Sequence, residues 1–304
     1  MTQLILEQML NGLQFGLMLF LLAAGLTLVF GIMDMINLSH GSLYMAGAYL
    51  GAALAQASGS FLLGLAGAMA GLALIGALLE ISLLRRLYQR DHLTQVLATF
   101  ALILIANETV LLLWGPQPLL LNAPAALAGP VEILGFSYPA YRLLIIAIGL
   151  LVAALLYWLV SHTRTGMWVR AGAANRVMAE ALGIDVRRLF TGIFALGAAL
   201  CALAGVMLGP LLAVQVGMGE SILILAFVVI VIGGIGSIRG ALVGSLLVGL
   251  VDTLGRALLP TVLRAIASPE VAGHLGPALA SIMIYLLMAA MLFWRPEGLF
   301  PARS

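Results

Sequence analysis

The residues best suited to contact a polar solute lie between two apolar segments near the N-terminus. Residues 31–42 read Gly-Ile-Met-Asp-Met-Ile-Asn-Leu-Ser-His-Gly-Ser, and their polar side chains include Asn37, Ser39, His40 and Ser42. Ser39 could cap the helix that follows. In many transporters a broken helix points its amide-rich first turn into a cavity and binds substrate there. The run therefore predicts either part of a substrate pathway or a capped cytoplasmic turn with no ligand nearby.

A second polar pair, Asn107 and Glu108, interrupts a later apolar run. Polar side chains are expensive inside a bilayer, so both residues are candidates for the substrate pathway. Glu108 could equally extend to the outer membrane interface. Asp252 and Arg256 are four residues apart, which places them on one face of a helix. We expect an internal ion pair there rather than a substrate site.

The sequence contains no catalytic or metal-binding motif. Its four histidines are scattered, and neither HExxH nor GxSxG occurs. A Walker A loop needs a lysine to reach the phosphates, whereas all 14 basic residues are arginine. The single cysteine, Cys201, excludes an internal disulfide and is expected to fill the apolar core. We therefore expect a protein that is not an enzyme, with no cofactor or metal of its own. If ATP drives it, another polypeptide hydrolyses the ATP.

The composition places these polar residues in a membrane protein. The 304 residues are 63% hydrophobic and 9% charged, with a mean hydropathy of +1.17. A soluble domain has roughly 45–50% apolar and 25% charged residues. Within lipid the backbone must pair internally, so each apolar run of about 20 residues is expected to be a helix. The net charge of +2 gives no indication of nucleic acid as a partner.

We therefore predict an all-α polytopic integral membrane protein that forms a single transmembrane domain over residues 1–304. About eight to ten transmembrane helices are expected, some of them short or broken. The apolar runs are 6–32, 40–57, 61–84, 93–114, 139–160, 189–209, 220–238, 240–259 and 277–294.

The arginines predict the orientation, because short cytoplasmic loops are enriched in basic residues. Threading the nine runs with the C-terminus inside places eleven arginines on the cytoplasmic side, including Arg303. It places three outside, namely Arg142, Arg256 and Arg264. The opposite threading inverts this bias. We therefore expect a multi-pass protein with a cytoplasmic C-terminus and membrane lipid around its spans.

The longest polar connection, residues 161–188, lies on the cytoplasmic side in this threading. Within residues 170–185, apolar side chains recur at the spacing of one helical face: Ala174, Val177, Met178, Ala181 and Leu182. This spacing predicts one short amphipathic helix, and Gly183 suits its C-terminal cap. Such a helix could lie on the membrane surface or dock into a groove of a soluble partner, and its small residues favour docking.

The chain resembles the permease subunits of branched-chain amino acid (LIV-type) ABC importers in three stretches. They are residues 25–41 (Gly-Leu-Thr-Leu-Val-Phe-Gly-Ile-Met-Asp-Met-Ile-Asn-Leu-Ser-His-Gly), residues 166–185, and residues 233–240 (Gly-Gly-Ile-Gly-Ser-Ile-Arg-Gly). The resemblance implies a permease of the bacterial inner membrane that carries a branched-chain or other amino acid. Ser42 and residues 213–221 differ from typical leucine permeases, and related permeases serve urea, amides, or aromatic and carboxylic acids. The substrate therefore stays open among these classes.

The resemblance also implies partners. Such permeases pair as homodimers or heterodimers, bind two cytoplasmic ATPase subunits that hold ATP and Mg²⁺, and receive substrate from a periplasmic or surface-anchored binding protein. Contact with the ATPase would fall on the coupling loop 161–188, at Asn175, Arg176, Met178, Glu180, Ala181, Gly183 and Asp185. The alternative of another class is a channel or secondary transporter, which would be active when reconstituted without an ATPase.

Overall fold

Helices form most of the chain in this computed structural model, which describes residues 2–133, 136–265 and 268–300. Arg303, one of the arginines predicted to be cytoplasmic, lies outside the described residues. In chain order the elements are α1 (Thr2–Met33), α2 (His40–Ser58), α3 (Phe61–Leu79), a π-helical turn (Glu80–Leu84), α4 (Arg85–Leu87), α5 (His92–Trp114), a 3-10 turn (Ala125–Leu127), β1 (Pro130–Ile133), β2 (Phe136–Pro139), α6 (Ala140–His162), α7 (Arg164–Ala174), α8 (Arg176–Ala181), α9 (Val186–Leu208), α10 (Met218–Gly233), α11 (Ile238–Leu263) and α12 (Pro269–Trp294). The two strands pair as an antiparallel hairpin.

Each of the nine predicted apolar runs forms a helix, and the all-α polytopic fold is confirmed. Within the described residues, seven helices are long and apolar enough to cross a membrane. The other two are α2, with 19 residues, and α10, with 16. The chain is therefore a multi-pass membrane protein with two helices that differ from ordinary spans.

Two predicted helix boundaries are wrong. The run 220–238 ends as a helix at Gly233, because Gly234 has a φ of 104°, in the left-handed region that interrupts a helix. The run 277–294 begins as a helix eight residues early, at Pro269, because the Ser268 side chain accepts a hydrogen bond from the third residue after it and proline suits the first helical turn.

The core forms around α1, which is buried along most of its length and packs against α6, α9, α10 and α11. The C-terminal end of α1 contacts α7, so α7, α8 and the turn after α1 lie together. We call this the α8 end of the bundle. At the other end, Asn11 near the start of α1 accepts hydrogen bonds from Tyr138 in β2 and from Arg142 in the first turn of α6.

An ion pair joins Asp252 and Arg256 on α11, as the sequence predicts. Arg256 Nε lies 2.7 Å from Asp252 Oδ1. The Asp252 residue is buried, whereas the Arg256 side chain is half exposed and also donates to Ser281 on α12. The pair therefore joins two neighbouring helices.

Candidate functional site

The polar run after α1 folds into a tight turn that leads into α2. Asn37 is fully buried, and its Oδ1 accepts hydrogen bonds from the Ser39 backbone N at 3.0 Å and from the Ser39 hydroxyl at 2.6 Å. Ser39 precedes α2 but has a helical φ of −72°, and its side chain makes no capping bond. The predicted capping role of Ser39 is therefore wrong, because a side-chain cap normally needs an extended backbone at that position.

His40, the first residue of α2, is enclosed in the protein core. Its Nε2 lies 3.1 Å from the Sγ of Cys201 on α9, and its ring packs closely against Gly25 on α1. The other ring nitrogen, Nδ1, has no hydrogen-bond partner among the described residues. Cys201 is buried, as predicted. His40 thus fixes the start of α2 against α1 and α9.

α2 and α10 both begin inside the bundle and meet at their first turns. A Cβ added to Gly41 would collide with the backbone oxygen of Gly219, and one added to Gly219 would collide with the oxygen of Gly41. The backbone of Ser42 lies in the same contact, and its side chain is buried. Each first turn of a helix has backbone N–H groups without helical partners and carries the positive end of the helix dipole. The two helix starts therefore favour a negatively charged group beside them.

The first turn of α10 also carries Glu220, which contacts α5. Asn107 Nδ2 donates a hydrogen bond to Glu220 Oε1 at 2.6 Å. The amide oxygen of Asn107, Oδ1, and the second carboxylate oxygen of Glu220, Oε2, are buried without a hydrogen-bond partner among the described residues. Buried polar atoms normally have a partner in protein, water or ligand. The pair therefore offers two acceptors to a group that carries N–H donors. We call Gly41, Ser42, Asn107, Gly219 and Glu220 the α2–α5–α10 junction.

The predicted pathway residues divide between three places. Ser42 and Asn107 lie at the junction, the other three polar residues of the run lie in the turn that leads to it, and Glu108 is exposed on the outer surface of α5. Sequence analysis missed Glu220. An acidic residue in the first turn of an apolar helix was the signal that could have found it, because the helix dipole favours a negative charge there.

The segment between α6 and α9 forms two short helices instead of one. α7 ends at Ala174, and Asn175 has an extended φ of −157°, so its Oδ1 caps α8 by accepting from the Met178 backbone N at 2.9 Å. The prediction of a single helix within 170–185 is therefore wrong, because the Asn175 side chain competes with the helical hydrogen bonds. Gly183 follows α8 with a φ of 87°, which confirms its predicted capping conformation.

The exposed face of α8 is apolar. Val177, Met178 and Leu182 are 77%, 57% and 74% exposed, and Ala174 and Ala181 are exposed beside them. The predicted apolar face is confirmed, and it points away from the bundle. A contiguous apolar surface of this kind marks a contact with a protein or a membrane.

Charged residues hold this segment in place. Arg176 Nε lies 3.3 Å from Glu180 Oε1, and the guanidinium carbon of Arg176 lies 5.1 Å from the ring centroid of Phe190 on α9. Asp185 caps α9 by accepting from the Arg188 backbone N at 3.1 Å. Arg176 therefore faces the bundle, whereas Glu180 is exposed at the edge of the apolar face.

Two open cavities lie at the α8 end. One, of about 750 Å³, is bounded by α6, α7 and α9 and is lined mainly by apolar side chains. The larger, of about 1080 Å³, lies between α1, α6, α7 and the α10–α11 connection. Its polar lining includes Thr27, Asp34, Arg170 and Glu297. Asp34 thus brings the polar run to the wall of the larger cavity.

The arrangement is that of a membrane transport permease. Two helices, α2 and α10, begin inside a bundle of apolar spans and meet at their first turns, an arrangement that transporters use at substrate sites. No group of three or more His, Cys, Asp or Glu residues that could hold a metal occurs in the part of the chain that the structure describes. The chain belongs to the family described as branched-chain amino acid transport system / permease component, whose sequence profile matches residues 8–292.

Named relatives align with nearly the whole chain. The high-affinity branched-chain amino acid transport system permease protein LivH of Salmonella typhimurium is 30% identical over 312 residues, 96% of this chain and 96% of LivH. Permease protein BraD of the same kind of system, from Pseudomonas aeruginosa, is 30% identical over 308 residues, 97% of this chain and 95% of BraD. An inward-facing structure of a metal-chelate type ABC transporter overlaps with a TM-score of 0.47 at 18% identity, over 94% of this chain and 85% of that one. The family resemblance of the three sequence stretches is confirmed.

Proposed function

We propose that this chain is the membrane-spanning permease subunit of an ATP-driven importer that carries a branched-chain or other amino acid across the bacterial inner membrane. The observation that carries the proposal is the exposed apolar face of α8, at Val177, Met178 and Leu182, on a helix too short to span a membrane. An apolar face of this kind marks a contact surface, and a protein partner is favoured because the relatives are permease components of transport systems. ATP and Mg²⁺ would be held by two ATPase subunits that dock there, so the chain has no ATPase site of its own.

The α2–α5–α10 junction supports an amino acid as the substrate. The starts of α2 and α10 favour a carboxylate, and Glu220 Oε2 and the amide oxygen of Asn107 offer acceptors to an ammonium group. A zwitterionic amino acid carries both groups, one carbon apart. Asn37, Ser39 and His40 would support the junction from the adjoining turn. LivH and BraD are named for branched-chain amino acid transport. Urea and amides have the N–H donors but lack the carboxylate, and aromatic and carboxylic acids lack the ammonium group.

The proposed orientation places the α8 end and the C-terminus in the cytoplasm. The arginine bias supports this orientation, and so does the position of α8, because ATP is available only on that side. A second permease subunit, identical or related, would complete the transport path, and a periplasmic or surface-anchored binding protein would deliver substrate to the opposite end.

Reconstitution of the assembled transporter tests this function. The chain is purified from its native membranes in mild detergent with its associated subunits and placed in proteoliposomes that contain ATP. We expect ATPase subunits to copurify and uptake of labelled leucine to require hydrolysable ATP and the binding protein. Isoleucine should compete with leucine, whereas urea and benzoate should not. Leucine uptake by the purified chain alone would instead identify a channel or a secondary transporter and would refute the proposal.

A further inference from the structure

A buried ionic cluster lies between α8 and the turn that precedes α2. It is centred on Glu80, whose side chain is fully buried where α3 passes into the π-helical turn. The Glu80 carboxylate accepts four hydrogen bonds: from Arg85 Nε at 3.2 Å and Nη2 at 2.9 Å, from the Tyr88 hydroxyl at 2.9 Å, and from the Thr191 hydroxyl at 2.6 Å. The lone-pair sites of the carboxylate are thus filled. Single π-helical turns inside α-helices are frequent at functional sites.

One side of the cluster contacts α8. The rings of Tyr88 and Phe190 pack edge to face with centroids 5.6 Å apart. The guanidinium carbon of Arg176, the first residue of α8, lies 5.9 Å from the Tyr88 centroid and 5.1 Å from that of Phe190. Burial and the Glu80 carboxylate raise the pKa of Tyr88, so its hydroxyl stays protonated and remains a donor. Arg176 is therefore joined to Glu80 through a single side chain.

The other side of the cluster contacts the turn after α1. The Tyr88 hydroxyl lies 3.5 Å from the Sδ of Met33, the last residue of α1. Gln95 is buried, and its Nε2 donates to the Leu87 carbonyl at 3.3 Å while its Oε1 accepts from the Ile36 backbone N at 3.3 Å. The segment that carries Tyr88 is thus bonded to the backbone of the turn that leads into α2.

We propose that Glu80, Tyr88 and Arg176 form a link that transmits a displacement of α8 to the turn before α2. Glu80 is a positioning residue in this link. It touches neither the solute nor the ATPase, and its hydrogen bonds fix Tyr88 relative to Thr191 on α9. The inference rests on the proposed function, because it assigns a route for the motion that ATPase docking at α8 would start.

The proposed route of the motion follows from the free energy that would be lost if α8 or Tyr88 moved alone. If α8 moves without Tyr88, the cation–π contact between Arg176 and Tyr88 is lost, and the contact with Phe190 is lost as well unless α9 follows. If Tyr88 moves without its neighbours, the buried Glu80 carboxylate loses a donor, which is expensive away from water. The segment from Arg85 to Gln95 therefore moves together with α8, and its bond to Ile36 displaces the turn after α1.

The test measures ATP hydrolysis and leucine uptake at the same time in proteoliposomes that contain the complete transporter. Tyr88→Phe removes the bond to Glu80 but keeps both ring contacts. Arg176→Met removes the cation–π contacts. It also removes the exposed ion pair with Glu180, which contributes little to stability. In each variant we expect the ratio of ATP hydrolysed to leucine transported to rise at least about threefold. Tyr88→Phe, which lies outside α8, should leave the affinity of the ATPase subunits at its wild-type value.

Arg239→Met is the matched control. The Arg239 guanidinium carbon lies 5.0 Å from the ring centroid of Tyr157, also at the α8 end but outside the Glu80 cluster. This control should leave the ratio unchanged. A variant that combines Tyr88→Phe with Arg176→Met should raise the ratio no further than the larger single effect, because both substitutions interrupt one link.

Wild-type ratios in both single variants, or additive increases in the combined variant, would overturn the link while leaving ATP-driven uptake intact. A wild-type transporter without ATP-dependent uptake would instead refute the proposed function, and the link with it. Thermal melting of each variant in detergent provides the check on folding. A variant that melts like the wild type but has an increased ratio of ATP hydrolysed to leucine transported supports the link. A variant that melts like the wild type and keeps the wild-type ratio contradicts it.

Discussion

Replacing Val177 with aspartate should detach the ATPase while leaving the permease folded. Val177 is 77% exposed on the apolar face of α8, beside Met178 and Leu182. Full burial of a valine side chain contributes roughly 1.5–3 kcal/mol, and three quarters of that, about 1–2 kcal/mol, remains for a partner to bury. A carboxylate placed in the same contact adds a desolvation cost of about 1 kcal/mol or more.

Together these effects amount to about 2–3 kcal/mol, so the affinity of the ATPase subunits should fall about 30- to 150-fold. The permease itself should lose no more than about 0.5 kcal/mol, because the position is exposed. Valine and aspartate also have similar helix propensities, so α8 should still form. The assay is titration of labelled ATPase subunits onto the permease in lipid nanodiscs, with thermal melting of the permease as the folding check.

Val177→Ala should weaken the same contact by about 1 kcal/mol, or roughly fivefold. The matched control is Ile235→Asp, because Ile235 is 47% exposed in the α10–α11 connection at the same end of the bundle. That variant should bind the ATPase like the wild type. Wild-type affinity in Val177→Asp, or equal losses in Val177→Asp and Ile235→Asp, would refute the reasoning that α8 is the docking helix.

Two further predictions concern the α2–α5–α10 junction. Gly41→Ala should destabilise the permease by about 1–3 kcal/mol, because the added Cβ collides with the Gly219 backbone, whereas Gly273→Ala, which meets nothing nearby, should stabilise α12 by up to about 1 kcal/mol. Equal melting temperatures for the two variants would contradict the close approach of α2 and α10. Glu220→Gln should raise the KM for leucine uptake about tenfold, because it removes the charge of a partly buried, hydrogen-bonded carboxylate. Glu108→Gln, at an exposed neighbour of Asn107, should leave the KM unchanged, and a wild-type KM in Glu220→Gln would exclude Glu220 from the pathway.

The helices and their ends could be predicted from the sequence where residues close together in the chain determine the structure. The apolar runs, the break before α2, the left-handed Gly183 and the pair of Asp252 with Arg256 all depend on residues close together in the sequence. Ser39 and Asn175 show the limit of this reasoning. Each is a common capping residue, but the fold places Ser39 in a helical conformation and Asn175 in an extended one, so only Asn175 caps.

The site was only partly predictable, because its contacts join distant parts of the chain. Asn107 stood out as a polar residue in an apolar run, but its partner Glu220 follows 113 residues later. Glu80 is bonded to Thr191 across 111 residues, and nothing in the local sequence distinguishes it from an acid at a helix end. Composition and periodicity report which face of a helix is apolar, whereas these pairings depend on which helices pack together.

The most direct test of the central claim is photo-crosslinking from α8. A benzophenone amino acid replaces Met178, which is 57% exposed on the apolar face, in the full transporter in native membranes. The account predicts that irradiation joins the permease covalently to an ATPase subunit, and that the same probe at position 235 does not. Adducts from position 178 with lipid alone, in membranes where uptake is normal, would contradict it.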